Sequence, residues 1–80
     1  MDEKYVIDRL NAIFREVIEQ NDISLSREQT ADDVVGWDSL NHTLIISEIQ
    51  KKFEIKFNLT EVLGFENVGD LVDAILSKKA

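Results

Sequence analysis

Three stretches of this sequence repeat apolar residues with the period of an α-helix, and this pattern constrains the fold more than any other feature. The stripes lie between residues 4 and 20, 39 and 53, and 68 and 79. Apolar residues spaced at i, i+4, i+7 and i+8 fall on one face of a helix, and that face must be buried against another element. The pattern therefore predicts an all-α fold in which three amphipathic helices share one core.

The ends of these helices carry local signals. We place the first helix at about Lys4–Gln20 and the second at Ser39–Phe53, with Asp38 as the N-cap of the second helix or within its first turn. A further short helix is predicted over residues 58–64, with Gly64 as its C-cap. The expected architecture is a small four-helix bundle of three main helices plus one short helix.

About 18 residues separate the first two helices, and a connection this long in a compact domain is usually functional. Residues 26–29 offer a capping-box pattern, Ser-Arg-Glu-Gln, for a brief helical turn. Apolar side chains along the connection are expected to pin it onto the bundle: Ile23, Leu25, Val34, Val35 and Trp37. We therefore expect a long packed crossover within a single domain that spans residues 1–80.

Size and composition exclude several classes of function. A chain of 80 residues holds one modest core and no enclosed enzyme cleft, which favours a carrier, an adaptor or a subunit over a free-standing enzyme. The chain has no Cys and a single His, so disulfides, thiolate metal sites, Cys nucleophiles and multi-His metal sites are excluded.

Charge and hydropathy bound the location and the partners. The net charge is −7, and residues 1–38 carry ten acids against four bases. This surplus argues against binding nucleic acid or an anionic membrane and favours basic protein partners. No apolar run approaches the length of a membrane span, and the first residues do not resemble a signal peptide. We expect a monomeric cytoplasmic protein without stable membrane insertion.

Two clusters of polar residues do not support catalysis or metal binding. Ser39 and His42 would sit on consecutive turns of one helix surface, without the shielded pocket that a nucleophile and its base require. His42 is therefore interpreted as a solvated or a rim histidine. Asp32, Asp33 and Asp38 do not match a calcium-loop pattern and are expected to form an acidic rim, so no metal site is predicted.

The segment Gly36-Trp37-Asp38-Ser39-Leu40 admits two interpretations. The hydroxyl of Ser39 can simply cap the second helix. Alternatively, the free N–H groups and positive partial charge at the start of a helix suit a phosphate, so Ser39 Oγ is also well placed to carry a phosphate-linked arm. The residues alone leave both interpretations open.

The same segment resembles the Asp-Ser-Leu signature of acyl carrier proteins, and the resemblance extends over the whole chain. It covers the first helix, the long crossover, the Ser at the start of the second helix, the Phe that ends that helix (Phe53), the short third helix and the final amphipathic helix. The resemblance implies a carrier rather than an enzyme. Ser39 would bear a 4′-phosphopantetheine arm, the cofactor, whose thiol holds acyl groups as thioesters.

The resemblance also implies roles for the neighbours of Ser39. Asp38 would be engaged by the phosphopantetheinyl transferase that installs the arm, and Leu40 would be a buried or partner-facing apolar residue. The second helix would meet the acyl-loading ligase and the acyl-processing or acyl-transfer enzymes. Candidates for partner recognition on this helix are Leu44, Ser47 and Glu48.

The second helix departs from the pattern of fatty-acid-synthesis carriers, which usually bear several acids there. Glu48 is the one acid between Ser39 and Lys52. Leu44, Ile45 and Ile46 span some 200° of helix and cannot all face one core, so one of them is expected to be exposed. The departure favours a specialised carrier for a lipid, modified-sugar or secondary-metabolite pathway over general fatty acid biosynthesis.

Other interpretations stay open. An aminoacyl carrier, of the D-alanyl or peptidyl kind, would share the fold and the attachment Ser. A helical interaction module without modification, whose Ser39 only caps a helix, belongs to another class. Apolar residues are also expected to line the space between the second helix and the later ones, either as plain core or as a shelter for an acyl chain: Ile46, Ile49, Phe53, Phe57, Leu59, Val62, Leu63, Phe65 and Leu71.

Overall fold

A computed structural model describes residues 1–79 of the chain. Its helices are α1 (Glu3–Ile18), α2 (Ser39–Phe53), α3 (Leu59–Gly64) and α4 (Val68–Lys79). Within these residues the β-type pairing is confined to one isolated antiparallel bridge between Thr30 and Asn67. The predicted all-α architecture with four helices is confirmed. Of the helices described, none combines the length and the apolar character that crossing a bilayer requires.

Each of the first two helices ends at a residue in the left-handed conformation. Glu19 has φ 63° and donates its N–H to the carbonyl of Arg15, and Glu54 has φ 55° and donates to the carbonyl of Gln50. The predicted end of the first helix at Gln20 is therefore two residues too late. Glutamate rarely adopts this conformation, so the sequence carries no glycine-like signal for the end of α1.

The short helix α3 begins with a complete capping box. The side chain of Asn58 accepts from the N–H of Glu61 at 2.8 Å, and the side chain of Glu61 accepts from the N–H of Asn58 at 3.0 Å. The assignment of Gly64 as a C-cap is wrong. Gly64 is the last residue of the helix, and the chain then leaves in an extended conformation at Phe65, without a left-handed cap.

The core lies where α1 packs against α2 on one side and α4 on the other. It consists of the apolar stripes of these three helices together with side chains from the connections: Val6, Leu10, Ile13, Phe14, Leu25, Val34, Trp37, Ile45, Ile46, Ile49, Phe53, Ile55, Val68, Leu71, Val72 and Ile75.

Two predicted core residues lie outside it. Leu59 and Leu63 are 72% and 76% exposed. A helix of six residues presents one narrow face to the bundle, and Val62 occupies that face. Leu59 and Leu63 are separated by four positions, so they share another face of α3, which points to solvent.

The crossover is fixed to the helices by hydrogen bonds as well as by apolar contacts. The N–H groups of Val68 and Gly69 donate to the carbonyls of Gln29 and Arg27, each at 2.9 Å. Leu25 N donates to Asn11 Oδ1 at 2.7 Å, which ties the crossover to α1. These bonds satisfy backbone groups that a long connection would otherwise leave unpaired.

Arg27 is the charged anchor of the crossover. Its guanidinium contacts Asp73 on α4 at 2.9 Å and also Glu3 on α1. The hydrogen bond to Asp73, followed by the negative charges of the two carboxylates, raises the pKa of Arg27 above its usual value. One side chain of the crossover thus links α1 and α4.

The expected apolar pinning of the crossover is confirmed except at one position. Leu25, Val34 and Trp37 are buried, and Ile23 packs partly against the core. Val35 is exposed, because the chain turns at residues 34–37 and directs only its neighbours inward. The predicted capping turn at 26–29 forms in part: Gln29 Oε1 accepts from Ser26 N at 2.9 Å.

Candidate functional site

Ser39 is the first residue of α2 and is exposed. The capping role at this helix start belongs to Asp38, whose Oδ1 accepts from the N–H of Asn41 at 2.8 Å. The backbone of Asp38 is extended, as an N-cap requires. The interpretation of Ser39 as the capping residue is therefore wrong, and its hydroxyl is left to face solvent beside the positive end of the helix dipole.

Gly36 sets the direction of the chain just before Ser39. Gly36 has φ +95°, a conformation that side chains rarely adopt. A Cβ atom there would also lie 2.5 Å from Cγ2 of Ile18 at the end of α1. The carbonyl of Gly36 accepts from Asn41 Nδ2 at 2.7 Å, so α2 holds the turn that precedes it. The path of the chain into Ser39 is fixed from both sides.

Trp37 anchors the same segment from the interior. Its side chain is 5% exposed, and its ring meets Phe14 edge to face with the centroids 5.0 Å apart. The indole Nε1–H donates to Nδ1 of His42 at 3.0 Å, which satisfies a donor that burial would otherwise orphan. The expectation that Trp37 pins the crossover onto the bundle is confirmed.

Of the two positions expected for His42, the fully solvated one is wrong, and the residue lies at the rim of a cleft. It is half-buried, accepts from Trp37 at Nδ1, and places Nε2 at 3.3 Å from the carbonyl oxygen of Val62 on α3. The sequence does not reveal these contacts, because nothing in it shows that the indole of Trp37 and the α3 backbone approach the same turn of α2.

A cleft of about 370 Å³ opens beside Ser39, between the start of α2 and α3. Its lining is mostly aromatic and apolar, with Trp37, His42, Val62, Leu63 and Phe65, and it also includes Ser39 and two acids, Asp38 and Glu66. A second cavity of about 470 Å³ lies in the crossover, between Ile23 and Val35, and contains none of the predicted site residues. Of the two, the cleft is the one that Ser39 lines.

The other predicted site residues divide between two faces. Leu40 is 73% exposed and follows Ser39 directly, so of its two expected positions the buried one is wrong. Leu44, Ser47 and Glu48 line a shallow groove between α1 and α2 instead. Lys51 Nζ lies 3.5 Å from Oε1 of Glu48. Lys51 thus partly neutralises Glu48, which is the one acid that α2 contributes to this groove.

Leu44 is the exposed member of the three consecutive apolar residues of α2. It is 48% exposed, whereas Ile45 and Ile46 are buried. The prediction that one of the three faces solvent is confirmed.

The acids of the crossover form no cage. Asp33 accepts from the N–H of Thr30 at 3.0 Å, and Asp32 is exposed. Across residues 1–79, no three His, Asp or Glu side chains are grouped so that they could hold a metal ion.

Comparison with known proteins defines the class. The family model for the phosphopantetheine attachment site matches residues 8–75. The chain belongs to this family of carriers. An acyl carrier protein of Clostridium perfringens is 29% identical over 70 residues, which cover 88% of this chain and 92% of that protein.

Solved structures agree with this class. The solution structure of a holo acyl carrier protein from Geobacter metallireducens has a TM-score of 0.84 and 41% identity, and covers 91% of this chain and 84% of that one. A putative acyl carrier protein from Mycobacterium tuberculosis has a TM-score of 0.79 at 23% identity, and covers 88% of this chain and 93% of that one, which supports the shared fold. The chain is thus an acyl carrier with a phosphopantetheine prosthetic group, not an enzyme. Acyl carrier proteins as a class interact with phosphopantetheinyl transferases and acyl-handling enzymes.

The residues of this chain fit such a group. An exposed primary hydroxyl stands at a helix start, where free N–H groups favour an anionic phosphodiester, and an apolar cleft adjoins it. The group supplies a thiol at the end of a long arm. The protein supplies a fixed attachment point for the arm, because the cap at Asp38, the turn at Gly36 and the buried ring of Trp37 hold the backbone in place.

Sequence reasoning missed the roles of Asn41 and His42. Their side chains join α2 to Gly36, Trp37 and Val62. A spacing of five residues between donor and acceptor is the one signal available for two of these contacts, and it is too common to single them out.

Proposed function

We propose that Ser39 is the residue that carries the 4′-phosphopantetheine arm. The main support is that Asp38, and not Ser39, caps α2, so that Ser39 stays exposed at the start of the helix. A transferase can reach this oxygen without unfolding any element. Asp38 and Leu40, both exposed, flank it as contacts for the transferase.

The test is transfer of the arm from coenzyme A by a phosphopantetheinyl transferase, followed by the intact mass of the protein. The wild-type chain should gain one arm, and Ser39→Ala should fold with an unchanged circular dichroism spectrum and gain none. Ser47→Ala is the matched control, because Ser47 is an exposed serine of the same helix, and it should gain one arm. Modification of Ser39→Ala would refute the assignment.

We further propose that the carrier serves a dedicated lipid, modified-sugar or secondary-metabolite pathway. Residues 39–59 carry two acids against three bases, unlike the acidic recognition helix of fatty-acid-synthesis carriers. Half-exposed Leu44 stands in the groove between α1 and α2, where a partner can bury it. Apolar anchors set the lifetime of a complex, while charges mainly steer the encounter.

The pathway proposal predicts how foreign enzymes respond. A fatty-acid ketosynthase that relies on a basic docking patch should turn over the acylated carrier poorly, and Leu44→Glu should improve that turnover. Val35→Glu is the matched control, since it places the same charge at an exposed apolar residue of the crossover, outside the groove. Efficient turnover of the wild-type chain that Leu44→Glu leaves unchanged would contradict the proposal.

The proposal also covers the oligomeric state and the location of the carrier. One carrier domain over residues 1–80 acts as a monomer in the cytoplasm and meets its loading ligase and transfer enzymes in turn. The family match over residues 8–75 supports one carrier unit in this stretch. Size-exclusion chromatography with light scattering should give the mass of one chain, and a stable dimer would contradict it.

A further inference from the structure

The helix α3 is attached to the bundle by few contacts. None of its six residues is buried. Beyond the partial packing of Val62, its polar ties are an ion pair of 3.1 Å between Glu61 and Lys78 of α4, and the approach of His42 Nε2 to the carbonyl of Val62. The first tie lies on the α4 side, and the second lies beside the cleft at Ser39. A helix held in this way depends on each tie for its position.

The hydrogen bonds of His42 determine its protonation pattern. The indole Nε1–H of Trp37 donates, so the Nδ1 atom that it meets must accept and carries no proton. In the neutral ring the proton then sits on Nε2, which donates to the carbonyl of Val62. One imidazole thus connects the buried ring of Trp37, the first turns of α2 and the backbone of α3.

We propose that His42 is a positioning residue that holds α3 against the start of α2 and so sets the width of the cleft beside Ser39. The bond to Val62 makes the tie, and the bond from Trp37 fixes the tautomer and the orientation of the wild-type ring. The consequence for access to Ser39 rests on the proposed function of that residue. The tie between α2 and α3 does not, and it can be measured in the unmodified chain.

Three substitutions separate the two bonds. In His42→Gln, the side-chain amide reaches about as far as Nε2 of the imidazole, so it can still donate to Val62. The shorter amide in His42→Asn reaches about as far as Nδ1, so it can accept from Trp37 but does not reach α3. His42→Ala removes both bonds. The pair of amide variants is matched in chemistry and differs by one methylene.

Amide hydrogen exchange measures the tie directly. Loss of one ordinary hydrogen bond should raise the opening equilibrium of α3 roughly 2- to 12-fold. Exchange at Val62, whose N–H bonds to Asn58 O, should therefore speed up in His42→Asn and His42→Ala and stay near wild type in His42→Gln. The amide of Gly69 in α4, bonded to Arg27 O, is the internal reference and should not change. Equal exchange in all variants, or a uniform rise in α3 and α4, would overturn the proposal.

The same variants test the consequence for Ser39. In the transfer reaction, the KM of the transferase for His42→Asn and His42→Ala should differ several-fold from its KM for the wild-type chain, while kcat is retained. The KM for His42→Gln should equal that for the wild-type chain. Unchanged KM in every variant, despite faster exchange at Val62, would overturn the link to Ser39. Absence of modification in wild type as well would instead refute the proposed function, while the exchange result on α3 would stand.

Discussion

Replacing Trp37 with alanine tests whether this ring fixes the path to Ser39 from inside the bundle. The side chain is 5% exposed and contacts Phe14 edge to face. Deleting a buried Trp typically costs about 3–5 kcal/mol. A domain of this size has a total stability of about 4–12 kcal/mol, so the variant should lose about a quarter of it or more. Because each kcal/mol shifts Tm by about 4–8 °C in a small domain, Tm should fall by more than about 12 °C.

Trp37→Phe separates the ring from its hydrogen bond. Phenylalanine keeps an aromatic ring near Phe14 and removes the N–H that donates to His42, so it should cost about 1–2 kcal/mol. Urea denaturation, followed by circular dichroism at 222 nm, measures both variants. Near-wild-type stability of Trp37→Ala, combined with poor transfer by partner enzymes, would refute the interior role and indicate a surface contact.

Three further outcomes follow from the structure. Gly36→Ala should destabilise the fold by about 2 kcal/mol or more, because φ +95° is unfavourable for alanine and its Cβ would clash with Ile18; a thermal melt checks this, and an unchanged Tm would contradict it. Raising NaCl from low to moderate concentration should raise Tm by a few degrees, equivalent to under about 1 kcal/mol, because the net charge is −7; a falling Tm would show that ion pairs dominate. The pKa of Glu61 is lowered by the backbone N–H of Asn58 and then by Lys78, so its contribution to stability is present above its ordinary pKa and is lost as pH falls through the lowered value. Glu61→Gln, which keeps the capping box, should therefore be less stable than wild type at pH 7 and converge with it in acid by urea denaturation, and a gap that persists in acid would contradict this.

The long helices were predictable because their apolar stripes are complete. Leu10, Ile13 and Phe14 lie on one face of α1 and are buried, as the periodicity requires. The ends were less predictable, since Glu19 and Glu54 close their helices in a conformation that usually marks glycine. Local backbone bonds close both ends, from the N–H groups of Glu19 and Glu54 to the carbonyls of Arg15 and Gln50, and backbone atoms leave no mark in the sequence.

The site was predictable in its chemistry but not in its support. Local sequence offered Asp38 as a cap and Ser39 as a candidate attachment residue, but it left open whether Ser39 was itself a cap, which the structure excludes. The position of the His42 ring between Trp37 and Val62 does not follow from local sequence, because Val62 is twenty residues away and the contact is made through its backbone. Every residue carries the same backbone carbonyl, so a contact to one cannot be predicted from the pattern of side chains.

The location of the arm tests the central claim most directly. After transfer from coenzyme A, proteolysis and fragmentation mass spectrometry should place a single phosphopantetheine on the peptide that contains Ser39, at that residue. The chain offers four other serines as internal competitors: Ser24, Ser26, Ser47 and Ser77. An arm on any of these four, or a wild-type chain that stays unmodified under conditions that fully modify a known acyl carrier protein, would contradict the account.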